Sequence, residues 1–151
     1  MGKGVKVFID TDVYVIERRY KRDTKYRVTT RFLEKAMNSG IIAYTSIYNL
    51  LEFCGILSFN LSAESTVMLY LGFAKKYNTT ILFPEEDAKL VCFDAKSILD
   101  HIKGKMSFGD ALVTSIVDKN KKILDAFVTW NVEHFKDKLA VTVLNPSEVI
   151  S

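Results

Sequence analysis

Apolar residues fall into five short runs, with helical spacings in the gaps between them. The runs lie at about 5–10, 41–45, 79–83, 125–129 and 140–144, each rich in Val, Ile, Phe or Thr. They predict five strands. Most carry apolar residues at consecutive positions, the pattern of strands covered on both faces. Asp12 stands ahead of a helix predicted over 13–20 and is the natural N-cap for it. Val28, Phe32, Leu33 and Ala36 predict a helix over 27–38, closed by Asn38-Ser39-Gly40. Ser46 and Ser62 head two further helices, the second keeping Val67, Leu71 and Ala74 at helical spacing. Glu85, Glu86 and Asp87 place negative charge in the first turn of a helix predicted to reach Ile102, which the helix dipole favours. Strands alternating with helices argue for one α/β domain over residues 1–151. Its sheet is parallel, and right-handed crossovers put helices on both faces.

Composition narrows the class. The chain has 151 residues, 48% apolar and 26% charged, which suits a globular domain with a sizeable core. Lys3 is followed at once by a strand without a cleavage-site pattern, so no signal peptide is expected. The most apolar stretch, Ile41 to Leu61, contains Thr45, Ser46, Asn49, Glu52 and Asn60, which argues against a membrane span. Cys54 and Cys92 both lie in apolar helical patterns, with no disulfide framework and no zinc spacing. A reducing, cytoplasmic setting is expected. The net charge is only +3, but Arg18, Arg19, Lys21, Arg22, Lys25 and Arg27 crowd one segment against Glu17 and Asp23. Such a cluster suits phosphate contact as well as a solvated surface.

Four polar side chains stand where an apolar pattern does not need them. Asp10 closes the first strand, and Glu52 is the only charge between Ile41 and Ala63. Asp110 opens the helix Ala111–Val117, and Asn131 follows the strand-like Ala126–Trp130. In parallel sheets ligands gather beyond the carboxyl ends of the strands, so these four can share one rim. Three have a structural role on offer. Asp10 can cap a turn, Asp110 completes a capping box with Ser107 (Asp in place of Glu), and Asn131 can cap the turn 132–135. Glu52, set among Leu50, Leu51, Phe53, Cys54 and Ile56, is expected to be part-buried, where a lone carboxylate needs a cation or a basic partner. Oxygen ligands favour Mg2+ or Mn2+. His101 and His134 read as surface or packing residues, since no nucleophile signature accompanies them.

The order of these segments resembles the PIN domain family over nearly the whole chain. The matching segments are Val7-Phe8-Ile9-Asp10-Thr11-Asp12-Val13, Ser46-Ile47-Tyr48-Asn49-Leu50-Leu51-Glu52, Ser107-Phe108-Gly109-Asp110-Ala111-Leu112-Val113 and Val128-Thr129-Trp130-Asn131-Val132-Glu133-His134-Phe135. The tail Val141 to Ile150, with Pro146, resembles the family's closing strand and turn. The resemblance implies a three-layer α/β/α sandwich with a central parallel sheet of about five strands, order 3-2-1-4-5. It implies an Mg2+- or Mn2+-dependent endoribonuclease in which Asp10, Glu52, Asp110 and Asn131 are catalytic and the three acids hold the metal. Many small members resemble VapC-type toxins, which implies a small antitoxin partner and a homodimer.

Asn131 departs from the four-acid form of the motif and offers a neutral oxygen. Glu133, Asp118 and Thr114 are candidate substitutes or outer-shell groups, and Thr11 and Thr129 candidate donors near the metal or phosphate. Arg18, Arg19, Lys21 and Arg22 are candidates for the RNA backbone. Tyr14, Tyr20 and Tyr26 either stack on bases or pack in the core. Two other classes compete. One is a catalytically weak PIN-fold module that binds RNA or protein. The other is a haloacid-dehalogenase-like phosphatase, whose opening motif Asp10-Thr11-Asp12-Val13 resembles, though Thr129-Trp130-Asn131 lacks its acidic pair.

Overall fold

The computed structural model describes residues 4–85 and 91–151. The chain runs β1 (Lys6–Ile9), α1 (Thr11–Arg19), α2 (Tyr26–Met37), β2 (Ile42–Ser46), α3 (Ile47–Ser58), α4 (Ala63–Tyr77), β3 (Thr79–Leu82), α5 (Ala95–Lys103), α6 (Phe108–Lys119), β4 (Ala126–Val128), α7 (Val132–Phe135), β5 (Thr142–Leu144) and α8 (Pro146–Ile150). The five strands form one sheet in the order β3-β2-β1-β4-β5, every pairing parallel. The fold is therefore the expected PIN-like α/β/α sandwich.

Strand alternation sorts the side chains into two cores. Val7, Ile9, Ala43, Ala126 and Val128 face one side and pack with Phe32 and Leu33 of α2, Leu50 and Phe53 of α3, and Phe73 and Tyr77 of α4. Phe8 and Phe127 face the other and pack with Ile98 of α5, Ile116 and Val117 of α6, and Phe135 of α7. Strands buried on both faces explain the unbroken apolar runs. The larger core holds an aromatic cluster. Phe73 stands 4.8 Å from Tyr14, 5.1 Å from Phe53 and 4.9 Å from Tyr77, centroid to centroid. The two phenols reach polar partners, Tyr14 with Thr79 Oγ1 at 2.9 Å and Tyr77 donating to Glu17 Oε2 at 2.7 Å. Tyr14 is thus a core residue.

Local signals set most helix ends. Ser46, Ser62 and Ser107 each accept a hydrogen bond from a backbone N–H three residues on. Asn78 ends α4 in the left-handed conformation, and β3 begins at the next residue.

Two expectations fail. The first helix begins at Thr11, and Asp10 rather than Asp12 caps it. The helix expected over 85–102 starts only at Ala95, and residues 91–94 have no regular structure. The physical reason is burial: Ile98 is the buried residue of α5, packed in the α6 core, whereas residues 91–97 are all exposed. Glu86 and Asp87 lie outside the described residues. Cys92 accordingly stands exposed outside a helix, while Cys54 is buried, and both are free thiols. No helix among the described residues is long and apolar enough to cross a membrane.

Phe73→Ala removes three ring contacts at once and is expected to cost about 3–5 kcal/mol in urea unfolding. A loss below about 1 kcal/mol would show that the aromatic cluster does not stabilise this core.

Candidate active site

The ends of β1 and β4 lie side by side, and the starts of α1, α3 and α6 approach the same rim. Asp10 continues the ladder past β1 by donating its N–H to Val128 O at 2.9 Å. Thr45 Oγ1 donates to Ile9 O at 2.7 Å, so the strand's last carbonyl is satisfied. The carboxylate of Asp10 is then enclosed by donors from three elements. Oδ1 accepts from Thr11 N at 2.9 Å and from Asn49 Nδ2 at 3.2 Å, and Oδ2 accepts from Thr129 Oγ1 at 2.8 Å. Only 8% of the residue is exposed. Burial, and next the charge of Asp12, push this carboxyl well above its ordinary range; Thr129 and Thr11 pull the other way, and Glu52 adds a smaller upward push.

Asp12, freed from capping, turns toward the end of β4. Its Oδ2 accepts from Trp130 N at 2.9 Å, Asn131 Nδ2 at 3.2 Å and Thr129 Oγ1 at 3.3 Å. Its Oδ1 is buried and has no hydrogen-bond partner. Burial pushes the Asp12 carboxyl from 3.8 up to about 6, against the pull of Trp130, Thr129, Val13 and the Lys25 charge. Lys25 Nζ lies over the Trp130 ring, 5.4 Å from its centroid, and Trp130 Nε1 donates to Thr29 Oγ1 at 2.9 Å.

Asn49 was not singled out by sequence reasoning. It is buried, donates to both Asp10 and Thr11 Oγ1 (2.9 Å), and accepts from Ser46 Oγ. The available signal was an amide inside the buried face formed by Ile47, Leu50 and Phe53. His134 was likewise passed over; its Nδ1 lies 3.8 Å from Asp110 Oδ2.

The other predicted residues fall into place unevenly. Glu52 is exposed, correcting the expected part-burial, because α3 leaves Leu51, Glu52 and Gly55 open to solvent. It lines a cavity of about 300 Å³ with Thr11, Asp12, Tyr20 and Asp23. Its Oε2 lies 3.9 Å from where a Cβ on Gly109 would stand, so the first turn of α6 passes beside it. Asp110 follows in that turn, half-exposed, and supplies its N–H to the Ser107 cap at 3.2 Å. Asn131 precedes α7 without capping it, since its side chain is spent on Asp12.

Thr114 and Asp118 are not brought to this rim. Thr114 Oγ1 donates to Met106 Sδ in the core, and Asp118 Oδ1 accepts from Ala140 N. Glu133 is exposed in the first turn of α7. Arg19, Lys21 and Arg22 line a concavity with Tyr20 and Asp23, and those last two residues also border the Glu52 cavity. Arg18 instead lines a separate groove with Leu61, Met68 and Phe73.

Among the described residues, no three His, Cys, Asp or Glu side chains form a set that holds an ion by themselves. Asp10 and Asp12 nonetheless fit a hard cation. One is buried and the other half-buried, both approach the Thr129 hydroxyl, and Asp12 carries a buried oxygen without a hydrogen-bond partner. Mg2+ and Mn2+ sites commonly use one or two carboxylates and keep several waters.

No protein-family model and no curated protein matches the chain. Solved structures do. VapBC-1 from nontypeable Haemophilus influenzae matches 95% of this chain and 99% of its own at 10% identity, with a TM-score of 0.62. VapC20 of Mycobacterium tuberculosis, a sarcin-ricin loop cleaving toxin, matches 89% and 96% at 12% identity, TM-score 0.59. VapBC2 from Rickettsia felis, bound to a DNA fragment from their promoter, matches 93% and 98% at 15% identity, TM-score 0.58. The chain therefore has a PIN-like fold, the one shared by these VapC structures.

The raised carboxyl of Asp12 has a defined sign in pH-dependent unfolding. A folded-state pKa above the unfolded one gives stability that is full below pH 3.8 and lost as pH rises through about 6. Metal-free wild type is expected to lose on the order of 1–3 kcal/mol relative to Asp12→Asn across that window. Parallel pH–stability curves for the two proteins would contradict the assignment.

Proposed function

We propose that this protein is a metal-dependent endoribonuclease acting as the toxin of a toxin–antitoxin pair. The observation that carries the reading is the Asp10 carboxylate, buried at the carboxyl end of β1 on a VapC-type PIN fold, with Asp12, Glu52 and Asp110 around the same rim. The sarcin-ricin loop cleaving activity of VapC20 supports the substrate class.

Asp10, Glu52 and Asp110 are the acids proposed to hold Mg2+ or Mn2+. A bound divalent cation supplies a lower pKa for an attacking water and offsets the charge of the scissile phosphate. Asp110, half-exposed and next to His134, would serve as the acceptor for a proton of an attacking water. Thr11 and Thr129 fix the position of Asp10 through Asn49 and through a direct hydrogen bond. Arg19, Lys21 and Arg22, beside the Glu52 cavity, hold the RNA backbone without reading sequence. Arg18, the remaining basic candidate, lines the α4 groove.

That groove and the apolar surface of α4 supply the partner surface. Val67, Met68 and Leu71 are 56%, 66% and 67% exposed on one helix. An apolar patch of this kind marks an interaction surface, and a small antitoxin and a second copy of the chain are its proposed partners. The VapBC-1 and VapBC2 structures support an antitoxin. A non-catalytic RNA- or protein-binding module is the second reading, favoured by the neutral Asn131 and by the lack of a preformed set of three acids among the described residues.

Asp10→Asn and, separately, Asp110→Asn are expected to abolish Mn2+-dependent RNA cleavage while circular dichroism stays unchanged, and a chelator abolishes wild-type activity. Full activity in either variant, or chelator resistance, overturns the nuclease reading. Lys21→Ala and Arg22→Ala are each expected to raise KM and lower the salt slope of RNA binding by about 1, with kcat kept. An unchanged salt slope would remove the basic loop from the RNA path.

A further inference from the structure

We infer that Asp12 is the fourth acid of this site, a cation ligand through Oδ1 that supplies the negative charge Asn131 lacks. The inference rests on the metal-dependent reading above. Its first support is the division of labour between the two oxygens of Asp12. Oδ2 accepts from Trp130 N and Asn131 Nδ2, with Thr129 Oγ1 a further 3.3 Å neighbour. Oδ1 is buried and makes no hydrogen bond of normal geometry, the neighbouring Val13 N–H being the one backbone group on its own helix that pulls on the carboxyl. Buried polar atoms are almost always satisfied, so a carboxylate oxygen left this way needs a donor or a cation from outside the chain.

The second support is placement. Thr129 Oγ1 lies 2.8 Å from Asp10 Oδ2 and 3.3 Å from Asp12 Oδ2, so one hydroxyl stands between the two carboxylates. That hydroxyl has a single proton and also accepts from Asn131 N at 3.0 Å, so it cannot neutralise both acids. Asp12 and Glu52 also line one cavity, which links the Asp10–Asp12 pair to the exposed acid. The fourth acid is therefore present beside Asp10 at the end of β4, where the four-acid motif would have it. It reaches that position from α1 instead of from the β4–α7 turn.

Asn131 then changes role. Its amide donates to Asp12, orienting the carboxylate, and its own oxygen carries no charge. Asp12 and Asn131 together do what a single acid after β4 does in the four-acid motif. A merely structural Asp12, present only to hold the turn at 129–131, would leave Oδ1 without purpose.

Mn2+ binding separates these roles. Asp12→Asn keeps an oxygen for the three donors and loses the second carboxylate oxygen. Titration calorimetry is expected to show Mn2+ affinity at least tenfold weaker in Asp12→Asn, with the metal-free melting temperature not lowered. The double variant Asp12→Asn/Asn131→Asp, which returns the acid to the β4 end, is expected to recover most of that loss. If wild type and Asp12→Asn bind Mn2+ equally while Asp10→Asn does not, Asp12 is only structural and this inference falls while the nuclease reading stands. If wild type binds no Mn2+ at all, both fall. Should Asp12→Asn unfold, Asp12→Glu serves instead: its retained carboxylate with a displaced oxygen is expected to weaken Mn2+ binding, and wild-type affinity would overturn the inference.

Discussion

Burial of the Asp10 carboxylate is the constraint around which this protein is built. A buried charge costs several kcal/mol unless it is hydrogen-bonded. The donors that hold this one come from α1, α3 and the end of β4: Thr11, Asn49 and Thr129. Thr11 is a neighbour in sequence, but Asn49 and Thr129 lie 39 and 119 positions away. The sheet must pair β1 with β4, and α3 must dock on its face, before the acid is satisfied. Assembly of the fold and assembly of the site are therefore one event.

The two faces of the sheet contribute differently. The face under α1 to α4 carries the ring cluster of Tyr14, Phe53, Phe73 and Tyr77, which anchors the helices bearing Asp12 and Glu52. The face under α5 to α7 holds α6 and α7, which bring Asp110 and His134 within 3.8 Å of each other. The rim between them concentrates acids, with a basic loop at its border. On the proposed nuclease reading, an RNA strand drawn by Arg19, Lys21 and Arg22 would meet carboxylates of its own sign, a conflict that a divalent cation would resolve.

The exchange of duties between Asp10 and Asp12 shows why a motif is not yet a geometry. Both residues precede or open α1, and both are good caps by type. Helix start at Thr11 gives the capping position to Asp10 and points Asp12 to the turn at 129–131. A shift of two residues in the helix start converts a presumed cap into a charged member of the site.

Much of this protein was legible in its sequence. Unbroken apolar runs identified the five strands, because burial on both faces leaves that pattern, and Ser46, Ser62 and Ser107 marked helix starts, because capping involves donors three residues away. The order of the motifs pointed to the PIN fold that the structure shows. What the sequence left open depends on distant contacts. Asn49 meets Asp10 across 39 positions, and Asn131 meets Asp12 across 119. The exposure of Glu52 depends on which side of α3 the other helices leave uncovered, and the late start of α5 on where Ile98 finds a partner in α6. Local periodicity and capping are written in neighbouring residues, whereas the partner of each buried polar atom is chosen only when the chain closes on itself.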